Sequence, residues 1–422
     1  MASAPEVVIT GMGLVSPLGI GNQAVGEALR AGRSGIRALE SFDASALPVR
    51  IGGEVRGFNP KDYIVQRKTL KVMARDSQIG IAASVLACQD AGIAPGKVDP
   101  ERFGVVLGAD RICGSLEDSE APYRKCIQQG QFDFRLWGTE GMANSFPLSF
   151  LKVLPNMIAS HVSIVQDARG PNNTIHQGDV SGLQAIVEAA RVIQRGAADV
   201  MIAGGASSRA TPLDWAIHCV VGRLSRRNDD PATVLRPFDA DRSGEVYGEG
   251  AAVFVLESRR HAEARHARVL ARLLGLGVAC EAYHGRAVQG IGLRRAMALA
   301  LKEARLSPAG IGHVNAHGMS TLADDPVEAH AIRDVAPNVP VTAPRSYFGN
   351  LGAAAGAMEL AASVFSFASG LVPKTLNYQR PDPECPVPVI REEHLTASRP
   401  SALAVNWTRI GQAAAIVLAG AD

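Results

Sequence analysis

The chain is short of cysteine and has almost no excess charge. Its 422 residues include six cysteines, Cys88, Cys113, Cys126, Cys219, Cys280 and Cys385, with no Cys-x-x-Cys pair among them. That scatter argues against a disulfide framework or a zinc ribbon and for reduced thiols in a cytoplasmic protein. The formal net charge is only +2, without the basic bias of a protein that binds nucleic acid. No run of about 18 uncharged apolar residues occurs, so no membrane span is expected. Met1-Ala2-Ser3-Ala4-Pro5-Glu6 lacks the basic and apolar regions of a signal peptide. What the chain does have is apolar content: 47% hydrophobic against 20% charged residues, the balance of a large globular protein with a well-buried core.

Apolar strand patterns alternate with helical ones. They include the strand running into a turn over Val7 to Gly19, Gly104-Val105-Val106-Leu107-Gly108 and Asp199-Val200-Met201-Ile202-Ala203-Gly204 up to about Leu256, and a second series opens near Ala267. A charged segment, Glu257 to His266, separates them, giving an N-terminal half of residues 1–256 and a C-terminal half of residues 257–422. Such alternation implies sheets covered by helices. Residues from about 112 to 149 break the pattern with aromatic and charged side chains and read as an insertion.

The most informative stretch is Gly170-Pro171-Asn172-Asn173-Thr174-Ile175-His176-Gln177-Gly178-Asp179-Val180-Ser181-Gly182, followed by a helical pattern from Leu183. A short strand, one residue at a tight turn, Ser-Gly and an amphipathic helix form this frame. Further blocks are Val7 to Gly19, Leu154-Pro155-Asn156-Met157, Ala203-Gly204-Gly205, Arg236 to Gly244, Gly248-Glu249-Gly250, Asn315-Ala316-His317-Gly318-Met319-Ser320-Thr321 and Gly349 to Glu359. The glycines after Val7 are not spaced as a dinucleotide loop. Together these blocks resemble the β-ketoacyl synthase family, the condensing enzymes of fatty-acid and polyketide assembly. The resemblance implies a thiolase-like five-layer α/β/α/β/α sandwich made of two similar halves. It brings no cofactor and no metal.

In that family the elbow residue is a cysteine thiolate, and here it is Asp179. A thiolate at a helix start is a strong nucleophile whose thioester can be passed on. A carboxylate would be a poor acyl acceptor, held anionic by the helix dipole. It is also a residue type that caps helices, worth about 1 kcal/mol. The family pairs the cysteine with two histidines; His317 matches the first, but Asn350 stands in place of the second and Arg345 in place of a lysine. Asparagine can donate a hydrogen bond but cannot shuttle a proton. Asp325 and Glu328 match the family's acidic support for His317, with Arg345 as a charge partner for either. Near the C-terminus, Asn406-Trp407-Thr408-Arg409-Ile410-Gly411-Gln412-Ala413 replaces a glycine-rich loop, placing a long charged Arg409 at or near the gate of the pocket.

These losses resemble those of chain-length factors, non-condensing subunits that pair with an active β-ketoacyl synthase, although glutamine often stands at their elbow and many have lost the histidine kept here as His317. The implied partner is such a synthase, in a heterodimer more than a homodimer. It would pair through the segment from Asn172 to Gln177 and an insertion bearing Tyr123, Phe132, Phe134, Trp137 and Phe146. Arg67, Lys68 and Lys71, read as a charged helix, could meet an acidic acyl carrier protein, or be a solvated face. A rival reading makes Asp179 and His317 an acid/base pair for cyclisation, hydrolysis or decarboxylation of an acyl substrate. His313 and His317 flank a strand end, where their spacing does not make a helical zinc pair. His176 reads as a packed polar group.

Overall fold

The computed structural model describes residues 4–282, 287–397 and 399–421. The start of the segment read for a signal peptide, Met1 to Ser3, lies outside the described residues. Five strands of the N-terminal half are, in chain order, Val7–Ser16, Phe103–Ala109, Asn172–Ile175, Val200–Ser208 and Glu249–Ser258. Across the sheet they lie in the order third, second, fourth, fifth, first. In the C-terminal half, Ala271–Cys280, His313–Asn315, Val341–Thr342, Ser401–Trp407 and Gln412–Gly420 repeat that order. In both halves the fifth strand runs against its two neighbours while the second pairs in parallel with the third and fourth. The two first strands meet through Val7 to Ile9 against Ala271 to Leu273, joining the halves into one sheet of eleven strands among the described residues, including the short Gly19–Ile20.

Parallel neighbours need crossover connections, and the helices supply them. Helices Arg75–Asp90 and Met157–Gln166 cover the outer face of the N-terminal half. Ile291–Ala304 and Asp325–Val335 cover that of the C-terminal half. Between the halves, Ser181–Gln194 packs on Ala355–Ser369, and their apolar faces share one core with strands from both sides. These are the five layers. Strand Val7–Ser16 is buried along its whole length, which is why it reads as an apolar run and not as an alternation. Among the described residues no helix is long and apolar enough to cross a membrane.

The central layer sets the position of the elbow through close backbone approach. Gly182, in the first turn of the elbow helix, and Gly205, in the neighbouring strand, both lie under the carbonyl of Ala353: an added Cβ would sit 2.4 Å and 2.3 Å from that oxygen. Gly205→Ala is therefore expected to lower stability by about 1–3 kcal/mol through overpacking, read as a lower urea midpoint. An unchanged midpoint would mean that the Ala353 turn moves freely.

The insertion folds as helix Leu116–Lys125, a hairpin of Ile127–Gln128 with Gln131–Phe132, and short turns. Tyr123, Phe132, Phe134 and Trp137 cluster, with ring centroids 5.2 Å apart for Tyr123 and Trp137, yet Phe134 remains 77% exposed. Arg67, Lys68 and Lys71 are exposed, on a 3₁₀ segment, Arg67–Val72, where the sequence suggested an ordinary helix. The segment ends where Met73 turns extended, before the helix at Arg75 begins.

Candidate functional site

The elbow strand, Asn172–Ile175, is the edge of the sheet and leads through His176 and Gln177 into a tight turn, Gly178–Val180. Gly178 takes φ +65°, a left-handed conformation that glycine adopts without strain. Asp179 thereby stands above the start of helix Ser181–Gln194. It does not cap that helix, which corrects the capping role its residue type suggested: no side-chain cap bond is made there. Ser181 instead ties the turn together, its hydroxyl accepting from Gln177 N at 2.7 Å and donating to Gly178 O at 2.6 Å.

The Asp179 carboxylate points across the central layer into a group of cations. Oδ1 accepts from Arg209 Nη2 at 2.8 Å. Oδ2 accepts from Asn350 Nδ2 at 2.7 Å and from Arg345 Nη2 at 3.4 Å, with His317 Nε2 at 3.6 Å. Burial would push this carboxyl up, but Arg209, His317 and Arg345 outweigh it and hold Asp179 well below the usual carboxylate range. The anion expected from sequence is thus fixed by Arg209 first, then by His317 and Arg345.

His317 follows the end of strand His313–Asn315, and Glu328 fixes its loop, accepting from His317 N at 2.7 Å and Gly318 N at 2.8 Å. The ring donates from Nδ1 to Glu359 at 2.9 Å. Arg345 Nη2 lies 2.6 Å from Nε2, competing with a proton there. Burial and Arg345 disfavour the imidazolium, but Glu359 and Asp179 prevail and His317 is raised to about 9.

Arg345 does not pair with Asp325 or Glu328, contrary to the sequence reading. It rises from the short helix Arg345–Phe348 between Glu245, at 3.4 Å, and Glu359, at 3.3 Å. Glu328 is taken up by the backbone under His317. Asp325 serves a different contact, accepting from Phe238 N at 2.7 Å with Arg242 at 3.7 Å, and burial raises it to about 7. Asn350 bridges two carboxylates, Asp179 and, at 2.6 Å, Glu245. Arg409 does reach the pocket: its guanidinium joins Glu245 and lies 2.9 Å from Asp324. His176 packs at 3.1 Å from Ala109 O, and buried His313 bonds Ser363 at 3.0 Å.

Arg209, Asp110, Glu245 and Asn406 join the site without having been singled out, and Glu359 appeared only as the end of a block. Arg209 is pinned by Asp110 at 2.6 Å and stacks 4.8 Å over the Tyr247 ring. Asn406 donates to Glu359 at 3.0 Å. The sequence signal was present but faint: Arg209 and Glu245 lie close to the glycine blocks at Gly204-Gly205 and Gly244, where a charge beside a buried strand end demands a partner. The result is a cavity of about 380 Å³ bordered by Gln177, Asp179, Arg209, Glu245, Asn350 and Arg409, among others. Two arginines, Arg209 and Arg409, and two carboxylates, Asp179 and Glu245, line it.

A duplicated five-stranded half, a glycine-backed elbow on the central layer and a histidine facing it define a ketosynthase-type protein. The family models agree: the N-terminal domain of β-ketoacyl synthase matches residues 4–262 and its C-terminal domain residues 270–379. The chain belongs to the β-ketoacyl synthase family. It is 37% identical over 387 residues to 3-oxoacyl-[acyl-carrier-protein] synthase 2 of Vibrio cholerae, covering 90% of each chain. Its fold matches the ishigamide ketosynthase/chain length factor with a TM-score of 0.87 at 28% identity, covering 100% of both chains. It also matches, with a TM-score of 0.86 at 28% identity, a type II polyketide acyl-carrier protein in complex with its ketosynthase bound to the hexaketide, over 99% of this chain and 100% of the other.

Proposed function

We propose that this protein is a non-condensing ketosynthase-like subunit of a polyketide or fatty-acid assembly system, acting like a chain-length factor beside an active β-ketoacyl synthase. The observation that carries this reading is the bonding of Asp179. A carboxylate engaged by Arg209, Asn350 and Arg345 and held well below its usual range lacks the basicity of a nucleophile. The acid/base alternative draws less support. A general base works best with a pKa near the working pH, whereas Asp179 lies well below the carboxylate range and His317 is raised to about 9.

Pairing draws support from two exposed features. Asn172–Ile175 is an edge strand, with one side of its backbone open to a neighbour. The insertion leaves Tyr123, Phe132, Phe134 and Phe146 between 39% and 77% exposed, more aromatic surface than a monomer usually shows. The solved relatives include a ketosynthase/chain length factor and a ketosynthase in complex with an acyl-carrier protein; by analogy, the exposed Arg67, Lys68 and Lys71 are where a carrier protein would be met.

Co-expression with an active β-ketoacyl synthase of the same organism tests the assignment. The two chains are expected to co-purify and sediment as a heterodimer, while the protein alone forms no β-ketoacyl product. A stable monomer under both conditions would sink it, and a homodimer indifferent to the synthase would favour a free-standing enzyme.

A further inference from the structure

The elbow pocket has the make-up of an anion-binding site. Arg209 Nη2, Asn350 Nδ2 and Arg345 Nη2 converge on the two Asp179 oxygens from different elements: the loop after strand Val200–Ser208, the turn before Gly352, and helix Arg345–Phe348. Each donor group is also held from behind. Asp110 pins Arg209 at 2.6 Å, Glu245 and Glu359 pin Arg345 at 3.4 Å and 3.3 Å, and Glu245 holds Asn350 at 2.6 Å. The donors are therefore aimed by groups other than Asp179, which is what preorganises a site for a charged ligand. Arg345 and Asn350 are 1% exposed or less, so water offers them little compensation. The cavity in front of them is bordered by Asp179, Arg209 and Asn350, with Arg345 reaching Asp179 from behind its wall.

We infer that this pocket is a binding site for a small carboxylate, occupied in the native protein by the chain's own Asp179. The elbow side chain is a tethered ligand that shuts out carboxylate-bearing acyl groups, and residue 179 alone determines whether the site is free. This deepens the non-condensing reading by naming what fills the pocket, and its test reads ligand binding instead of pairing or turnover, so either can fail without the other.

The Asp179→Ala variant removes the carboxylate and leaves its donors in place. Acetate matches the missing group. Titrated with sodium acetate at constant ionic strength, with chloride as control, the variant should melt lower than the native protein and regain a saturable part of the difference. The native protein should not respond. Adding Arg209→Met to the variant should abolish the acetate response. No acetate-specific rise in Asp179→Ala, an equal rise in the native protein, or a rise that survives Arg209→Met would each overturn the inference. Asp179→Ser carries the same test should the alanine variant not fold. Failure of both to fold, with or without acetate, would also overturn it, because donors pinned from behind make a standing site.

Discussion

The Asp179→Cys variant is expected to form no β-ketoacyl product above background from acyl and malonyl carrier-protein substrates. The new thiol would not be the obstacle. Facing Arg209 and Arg345, it would ionise readily, because neighbouring cations lower a thiol pKa. The obstacles lie around it. Asn350, bonded to Glu245 at 2.6 Å, cannot take or give a proton as the family's second histidine does. Arg409, tied to Glu245 and Asp324, stands in the cavity wall where the family's relatives carry a glycine-rich loop. Each lost transition-state donor costs roughly 10²–10³ in rate, so two together leave about 10⁴-fold or more to recover. Groups that act as a unit do not return one at a time. Product analysis and intact mass check this together: an acyl adduct on the introduced thiol without product is the expected pattern, and robust turnover would mean that residue 179 alone separates this protein from a synthase.

The fold was legible because its signals are local. Strand Val7–Ser16, the Gly178 turn and the helix from Ser181 each show in their own residues as an apolar run, a turn glycine and an amphipathic period. The resemblance supplied the five layers, which no periodicity states, and the repeated strand order of the two halves accounts for them. The site was legible at family positions, kept at His317 and changed at Asp179, Asn350, Arg345 and Arg409, all of which meet at or beside the pocket. What the sequence left open was partnership. Arg345 stands 14 positions before Glu359 and 100 after Glu245, separations that carry no periodic mark. Nothing local distinguishes those carboxylates from Asp325 and Glu328, so the wrong acids were assigned to Arg345. Arg209 was missed for the same reason, since its partners Asp110 and Asp179 are brought beside it only by the sheet order.

The Arg345→Leu variant is expected to be the most destabilised single substitution in the site. Its side chain is 1% exposed and faces Asp179, Glu245 and Glu359 at 3.4, 3.4 and 3.3 Å. Leucine fills part of the volume but leaves three carboxylates with less positive charge, and breaking one side of a buried ion network costs about 3–5 kcal/mol. The pH dependence identifies the cause. In the native protein Asp179 is depressed, so its contribution is present above the ordinary carboxylate value of 3.8 and is lost only as pH falls through the lower folded value. Without Arg345, Asp179 loses one of the charges that depress it and accepts a proton at higher pH. The deficit should therefore be largest at neutral pH and shrink as the solution is acidified toward the ordinary carboxylate range. Urea midpoints of native and variant protein at pH 7 and at pH about 5 measure it. A loss that does not change with pH would assign the effect to packing of the guanidinium stem instead of charge, and a loss below about 1 kcal/mol, the scale of an exposed ion pair, would mean that the network around Asp179 does not hold the pocket together.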